Sequence, residues 1–156
     1  MKRIDLSDPT FEYDETDPAG FRAGMVRPGP QLGAQATGAT LYELPPGEAL
    51  CPYHYELAEE EWLLVVAGRV TVRTPDETAE LGPMELAFFP PAPEGAHQVL
   101  NESSEPVRVL MWSQVVYPAV TVYPDSDKIG VYTRSRADNV MVKRSSSVPY
   151  YTGESR

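Results

Sequence analysis

CPYHYELAEEEWLLVVAGRVTVR, residues 51–73, is the stretch from which the architecture is most readily predicted. It consists of short runs rich in β-branched and aromatic residues, separated by an acidic turn and by Ala67-Gly68, which is typical of β-strands. Glu and Leu also favour helix in EEEWLLVVAGRVTV, but the β-branched content and the Gly-bounded run length favour two strands of a hairpin.

The same pattern extends outward from this stretch in both directions. The runs ATLYEL, TAEL, MELAFFP, AHQVL and VRVLMWS alternate with turns that contain Pro, Gly, Asn or Asp. This spacing predicts an all-β protein, an antiparallel sandwich or barrel that spans residues 37–114. The acidic, weakly periodic residues 1–36 are expected to form an irregular arm on the barrel. Residues 115–156 add two or three strands and a locally basic tail, which complete the same domain.

Charge and composition exclude several classes of partner. The chain has 156 residues, with 13 Lys and Arg against 23 Asp and Glu and a net charge of −10. This charge opposes binding to nucleic acid or to anionic lipid, and no apolar run reaches the roughly 20 residues of a membrane helix. The N-terminus lacks a signal-peptide pattern, so we predict a cytoplasmic protein. Cys51 is the only cysteine, which excludes an intrachain disulfide and predicts a buried thiol.

The only two histidines lie where strand geometry can bring them to one point together with carboxylates. Residues i and i+2 share a face of a strand, so His54 and Glu56 point the same way. Glu61 opens the next strand, and His97 begins a later one after Gly95, which allows a tight approach. Two imidazoles and two carboxylates form a ligand set suited to a divalent metal ion, with Mn or Fe favoured and Ni or Zn also able to bind.

Each of these residues also has a structural interpretation. A single histidine in a strand is often only hydrogen-bonded, and the glutamate-rich run ELAEEE is typical of a solvated turn, to which we assign Glu59. Glu60 is an alternative to Glu61, since a slip of one residue exchanges the inward and outward faces of a strand.

The stretch from residue 38 to 113 resembles the cupin superfamily. Its first motif is matched by Gly47, His54, Glu61 and Gly68, and its second by Gly82, Pro93, Gly95, His97 and Asn101. The fuller sequence is similar to small single-domain bacterial cupins of the conserved-barrel type, often labelled as sugar-phosphate isomerase-like. The resemblance implies a double-stranded β-helix, or jelly-roll, barrel with a metal at its mouth, and a homodimer.

Glu56 is the main departure from the cupin pattern, because most metal-binding cupins have a second histidine there. If Glu56 coordinates, the site gains a negative charge and favours hard cations. If it does not, three protein ligands leave an open position. Without a metal, the proximity of Glu56 and Glu61 should raise the pKa of one of them.

The expected pocket is apolar and aromatic, with few fixed cations. This disfavours a phosphorylated sugar, which usually requires Arg or Lys, and favours a small organic acid, phenol or carbonyl compound as the small-molecule ligand. The ion would act as a Lewis acid or bind O₂ with the substrate, in an oxygenase, isomerase or lyase whose catalytic residues the sequence does not identify. The candidate lining residues are Tyr42, Leu63, Val65, Phe88, Val99, Val109 and Met111.

Two further interpretations of the pocket stay open. One is a non-catalytic binding or sensor protein with a degenerate or empty metal site, and the other is a structural pocket whose histidines are hydrogen-bonded in the core. The outward side chains Trp62, Leu64 and Val66 also need a cover, which a second subunit or the N-terminal arm would supply.

Overall fold

The computed structural model describes residues 1–155, which form twelve β-strands, one short α-helix and four 3₁₀ turns. The strands are β1 (Gly24–Val26), β2 (Thr37–Leu44), β3 (Tyr55–Glu56), β4 (Glu61–Ala67), β5 (Val70–Arg73), β6 (Thr78–Leu81), β7 (Leu86–Phe89), β8 (Gln98–Leu100), β9 (Val107–Gln114), β10 (Ala119–Tyr123), β11 (Lys128–Tyr132) and β12 (Val140–Lys143). The helix α1 is Pro28–Leu32, and the 3₁₀ turns are Pro93–Gly95, Pro124–Ser126, Arg136–Asp138 and Arg144–Ser146.

The strands form three antiparallel sheets. A five-stranded sheet has the order β1-β2-β9-β4-β7, a three-stranded sheet the order β6-β5-β8, and a four-stranded sheet the order β12-β11-β10-β3. These sheets confirm the predicted all-β jelly-roll barrel. None of the helices within residues 1–155 has the length and hydrophobicity needed to cross a bilayer.

The main core lies between the five-stranded and three-stranded sheets. Leu63 and Val65 of β4 and Val109 of β9 are completely buried and belong to one cluster with Val70 and Val99 of the opposite sheet. Residues two apart on β4 share a face, so the alternation of the sequence directs Leu63 and Val65 inward. Burial of such side chains stabilises the fold by about 1.5–3 kcal/mol each.

The prediction that β4 and β5 form a hairpin is wrong. β4 pairs with β7 and β9, whereas β5 pairs with β6 and β8, so the chain changes sheets between them. Gly68 makes this corner with a φ of 78°, and a Cβ there would lie 2.6 Å from a methyl carbon of Val107. The close approach of the backbone to the core therefore requires glycine.

The N-terminal arm is less irregular than expected, because β1 extends the five-stranded sheet beside β2. Leu41 of β2, which pairs with β1, is only 2% exposed. At the β4–β7 end of the same sheet, Val66, Leu86 and Phe88 remain exposed. At the opposite terminus, β10, β11 and β12 supply three further strands.

Candidate metal centre

Main-chain pairing brings the two histidines together. The amide of His54 donates to the carbonyl of His97 at 3.1 Å, and the amide of His97 donates to the carbonyl of His54 at 2.8 Å. Directly paired residues of antiparallel strands project their side chains on the same side, and the two imidazole centroids lie 4.7 Å apart. Two histidines 43 positions apart in the chain thus become neighbours.

Glu61, the first residue of β4, completes a cluster with the histidines. Its Oε2 lies 3.7 Å from Nε2 of His54 and 3.7 Å from Nε2 of His97. One ligand atom from each of the three residues lies within 4.8 Å of the others. The two 3.7 Å separations are too long for hydrogen bonds, but they suit a shared ion, because ligands bonded at about 2.1 Å to one ion can lie up to about 4.2 Å apart.

Both rings have a fixed orientation that suits metal binding. Nδ1 of His97 donates to the carbonyl of Gly95 at 2.9 Å, and Nδ1 of His54 donates to the carbonyl of Pro52 at 3.0 Å. A carbonyl can only accept, so in the neutral ring the proton lies on Nδ1 and each Nε2 presents a lone pair to the cluster. Nε2 of His97 is buried and has no hydrogen-bond partner within residues 1–155. Burial of an unpaired polar atom is costly, and a cation at this point would satisfy it.

The surroundings of His97 restrict its ring further. Phe89 stacks on the imidazole with a centroid distance of 3.7 Å and an interplanar angle of 8°. Gly95 permits the tight turn before it, because a Cβ at this position would lie 1.7 Å from the carbonyl oxygen of Pro90. Any other residue would displace the backbone that anchors Nδ1.

Glu56, the fourth predicted ligand, lies beside the cluster. Its Oε1 is 3.9 Å from Nε2 of His54, and its carboxylate accepts hydrogen bonds from the Thr121 hydroxyl at 2.9 and 2.8 Å. Thr121 is 65 positions away in the sequence, and β10 places it opposite Glu56. The alternation of strand residues indicates the direction of Glu56 but gives no signal for this partner.

The other two glutamates of the acidic run behave differently from each other. Glu60 is exposed, so Glu61 rather than Glu60 faces the histidines. Glu59, which we assigned to a solvated turn, is only 8% exposed and lines the same cavity as Glu56. Val115 and Val116, which follow β9, line this cavity together with Glu59, a long-range proximity that the local acidity of the run does not indicate.

Burial and neighbouring charges shift the pKa values of Glu56, His97 and His54 away from their ordinary values. Burial, with repulsion by Glu61, raises the pKa of Glu56 to about 7 although Thr121 acts against it. Burial and the neighbouring His54 lower the pKa of His97 to about 4. Burial also opposes protonation of His54, but Cys51 and Glu61 outweigh it and raise its pKa. A neutral His97 is the form that can bind a metal.

The cluster opens into a cavity with two lobes of about 400 and 260 Å³. His54, Glu61 and Cys51 line both lobes, so the predicted buried thiol of Cys51 instead faces the cavity, 3.5 Å from Nδ1 of His54. The larger lobe also has an aromatic wall of Tyr117, Tyr123 and Tyr132.

The predicted lining residues divide into three groups. Tyr42 and Met111 line the smaller lobe. Four others are fully buried in the core below the cavity rather than in its wall: Leu63, Val65, Val99 and Val109. The prediction for Phe88 is wrong, because this residue pairs with Trp62 on the outer face, and its neighbour Phe89 points inward. The physical reason is register, since adjacent residues of a strand face opposite ways.

Within residues 1–155, neither lobe has a Lys or Arg side chain in its lining. Two cations contact the tyrosine wall: Nζ of Lys128 lies 5.2 Å from the ring centroid of Tyr123, and Cζ of Arg134 lies 4.9 Å from that of Tyr117. The cavity itself therefore presents carboxylates, hydroxyls and imidazoles to a ligand.

Comparison with known families and structures identifies similar proteins. The family model for the cupin domain matches residues 40–113. No curated protein sequence matches the chain.

Several solved structures share the fold. A protein of Acidithiobacillus ferrooxidans, provisionally named a sugar phosphate isomerase, is 22% identical with a TM-score of 0.81 over 92% of this chain and 91% of that one. A sugar phosphate isomerase from a cupin superfamily of Silicibacter pomeroyi is 19% identical, with a TM-score of 0.80 over 97% and 98% of the two chains. The polyketide cyclase RemF of Streptomyces resistomycificus is 22% identical, with a TM-score of 0.61 over 76% and 83%.

Proposed function

We propose that this chain, whose residues 40–113 match the family model for the cupin domain, is a metal-dependent enzyme in which His54, Glu61 and His97 hold a divalent cation. The observation that carries the proposal is the buried Nε2 of His97, which has no hydrogen-bond partner among the described residues and lies 3.7 Å from the same carboxylate oxygen as Nε2 of His54. A ligand set of two histidines and one carboxylate with open positions is typical of Fe(II). Mn or Fe is therefore the favoured ion, and Ni or Zn can occupy the same set.

The cavity supports a small organic acid, phenol or carbonyl compound as substrate. A bound divalent ion would supply Lewis-acid chemistry to a substrate oxygen. The residues of the chain orient such a molecule: Tyr123 and Tyr132 form an aromatic wall, hydrogen-bonded to each other through their hydroxyls at 2.7 Å, and Glu56 presents a carboxylate. The reaction would be of the oxygenase, isomerase or lyase type.

The lining argues against a phosphorylated sugar, although two structural neighbours carry the name sugar phosphate isomerase. A phosphate dianion placed beside Glu56, Glu59 and Glu61 would be repelled, and the residues lining the described cavity provide no guanidinium or ammonium to compensate. Identities of 22% and 19% concern the fold, which hosts many reactions.

Metal analysis of protein purified without chelators tests the proposal. We expect close to one ion per chain in the wild type and loss of the ion in His54→Ala and His97→Ala, with circular dichroism as the control for folding. Full metal occupancy in both variants would refute the assignment of ligands.

A non-catalytic binding or sensor protein is the second candidate, and the observation that favours it is Glu56 at the position where most metal-binding cupins have histidine. Turnover of carboxylate, phenol and carbonyl compounds should be screened with the metal-loaded protein and with Glu61→Gln. A metal-dependent reaction that Glu61→Gln abolishes would eliminate the sensor function, and binding without turnover would support it.

We further propose a cytoplasmic protein that assembles as a homodimer through the outer face of the barrel. Trp62 contacts Phe88 at a centroid distance of 4.6 Å and stacks parallel to Trp112 at 6.0 Å, which forms an aromatic surface that the N-terminal arm leaves uncovered. A second copy of the chain is the proposed cover.

A further inference from the structure

The hydroxyl of Thr121 is hydrogen-bonded to the carboxylate of Glu56. Thr121 is 3% exposed and lies directly opposite Glu56 in the pairing of β10 with β3. Its Oγ1 lies 2.9 Å from one oxygen and 2.8 Å from the other oxygen of Glu56. The donor is therefore centred on the carboxylate, and the buried β-branched side chain has little rotational freedom to release it.

The two candidate carboxylate ligands differ in what they reach. Glu61 lies at 3.7 Å from both imidazoles. Glu56 approaches only His54, at 3.9 Å, and in the described part of the chain no ion pair within 4.0 Å joins it to His97. The cluster of ligand atoms that lie within 4.8 Å of one another therefore contains His54, Glu61 and His97 but not Glu56.

We propose that Thr121 is a positioning residue that holds Glu56 beside the metal ion rather than on it. The inference rests on the proposed function, because it assumes the ion at His54, Glu61 and His97. Its consequence is that one coordination position stays free for substrate, while Glu56 lines the same lobe of the cavity and contacts the bound molecule. Glu56, at the position where most metal-binding cupins have a second histidine ligand, would thus contact the substrate rather than the metal.

A double-mutant cycle on Co²⁺ binding tests this role, because the cycle isolates the coupling between the two residues. Co²⁺ affinity is measured by isothermal titration calorimetry and coordination by visible absorption, in the wild type, Glu56→Gln, Thr121→Val and the double variant. Val has the shape of Thr without its hydroxyl, and Thr121→Ser, which keeps the hydroxyl, is the matched control.

We expect Glu56→Gln alone to change Co²⁺ affinity by less than about threefold, which is below the effect of an ordinary outer-shell partner. Thr121→Val should free Glu56 to coordinate, tighten Co²⁺ binding by about 10- to 100-fold and change the absorption spectrum. Both effects should disappear in the double variant, and Thr121→Ser should match the wild type.

Different results separate the failure of this inference from the failure of the proposed function. Co²⁺ binding that Glu56→Gln weakens as strongly as Glu61→Gln does would overturn the role of Thr121 and leave the metal site intact. An unchanged affinity and spectrum in folded Thr121→Val would also overturn it. Absence of Co²⁺ binding by the wild type would refute the metal site itself. If Thr121→Val does not fold, Thr121→Ala, which also lacks the hydroxyl, replaces it in the cycle, and Glu56→Gln alone still shows whether Glu56 coordinates the ion.

Discussion

The two ends of the barrel interior use the same strands for different purposes. Glu61, Leu63 and Val65 share one face of β4, yet Leu63 and Val65 are completely buried whereas Glu61 faces the cavity. At the closed end, Val70 and Val99 of the three-stranded sheet fill the space opposite β4. At the open end, His54 and His97 lie opposite β4 instead. Side chains that point inward from the same strand therefore pack in the core at one end and contribute to a candidate metal site at the other.

The closed end should dominate the stability of the fold. Leu63→Ala removes a completely buried side chain, and we expect it to lower the free energy of unfolding by about 2–5 kcal/mol, because a cavity remains in the core. Urea denaturation measures the loss. Leu86→Ala is the control, since Leu86 is 53% exposed on the outer face and should cost less than about 1 kcal/mol. Equal losses in both variants would contradict the division between core and surface.

The open end should dominate metal affinity instead. Glu61→Gln removes the carboxylate that faces both imidazoles, and we expect the affinity for Mn²⁺ to fall by at least about 100-fold, more than loss of an outer-shell partner. The neighbouring Glu60→Gln is a matched control, because Glu60 is exposed. Isothermal titration calorimetry compares the two, and similar affinities would disprove the ligand role of Glu61.

The free energy of unfolding should depend on pH, because Glu56 is buried close to Glu61 at the open end of the barrel. Burial raises the pKa of Glu56 from 4.5 to about 7, so the folded chain binds an extra proton between these values and its stability falls as the pH rises through them. In chelator-treated protein, Glu56→Gln lacks this penalty, and its stability relative to the wild type should therefore increase by about 1–3 kcal/mol from pH 4 to pH 8.

Denaturation midpoints of the chelator-treated proteins at several pH values measure this difference. A stability difference that is the same at all pH values would show that Glu56 titrates normally.

We expect the smallest change in the free energy of unfolding for substitutions on the outer face of the barrel. Phe88→Asp alters a residue that is 42% exposed, so the free energy of unfolding of one chain should change by less than about 1 kcal/mol. Light scattering at two concentrations should nevertheless show weaker self-association, because a charge opposes burial of the aromatic surface. Val148→Asp, at an exposed position in the C-terminal tail, is the control. Unchanged association in Phe88→Asp would remove this face as the dimer interface.

Alternation along single strands explains why much of the site can be predicted. His54 and Glu56 lie two residues apart, as do Glu61 and Leu63 on β4, and residues two apart share a face of any β-strand. Local composition likewise predicts most strands, and β6 begins and ends where the run TAEL does. The same rule fails at Phe88, because a run of apolar residues such as LAFF does not itself indicate which alternate set is inward.

Contacts between distant segments depend on the tertiary structure. The turn at Gly68 sends β5 into another sheet, and the pairing of β10 with β3 gives Glu56 its partner Thr121. Neither follows from periodicity, because strand pairing is set by the packing of the whole barrel and each strand alone is compatible with several partners. The amino-acid order therefore predicts the residues that reach the interior, whereas the assembled barrel establishes which of them meet and which interior end stays open.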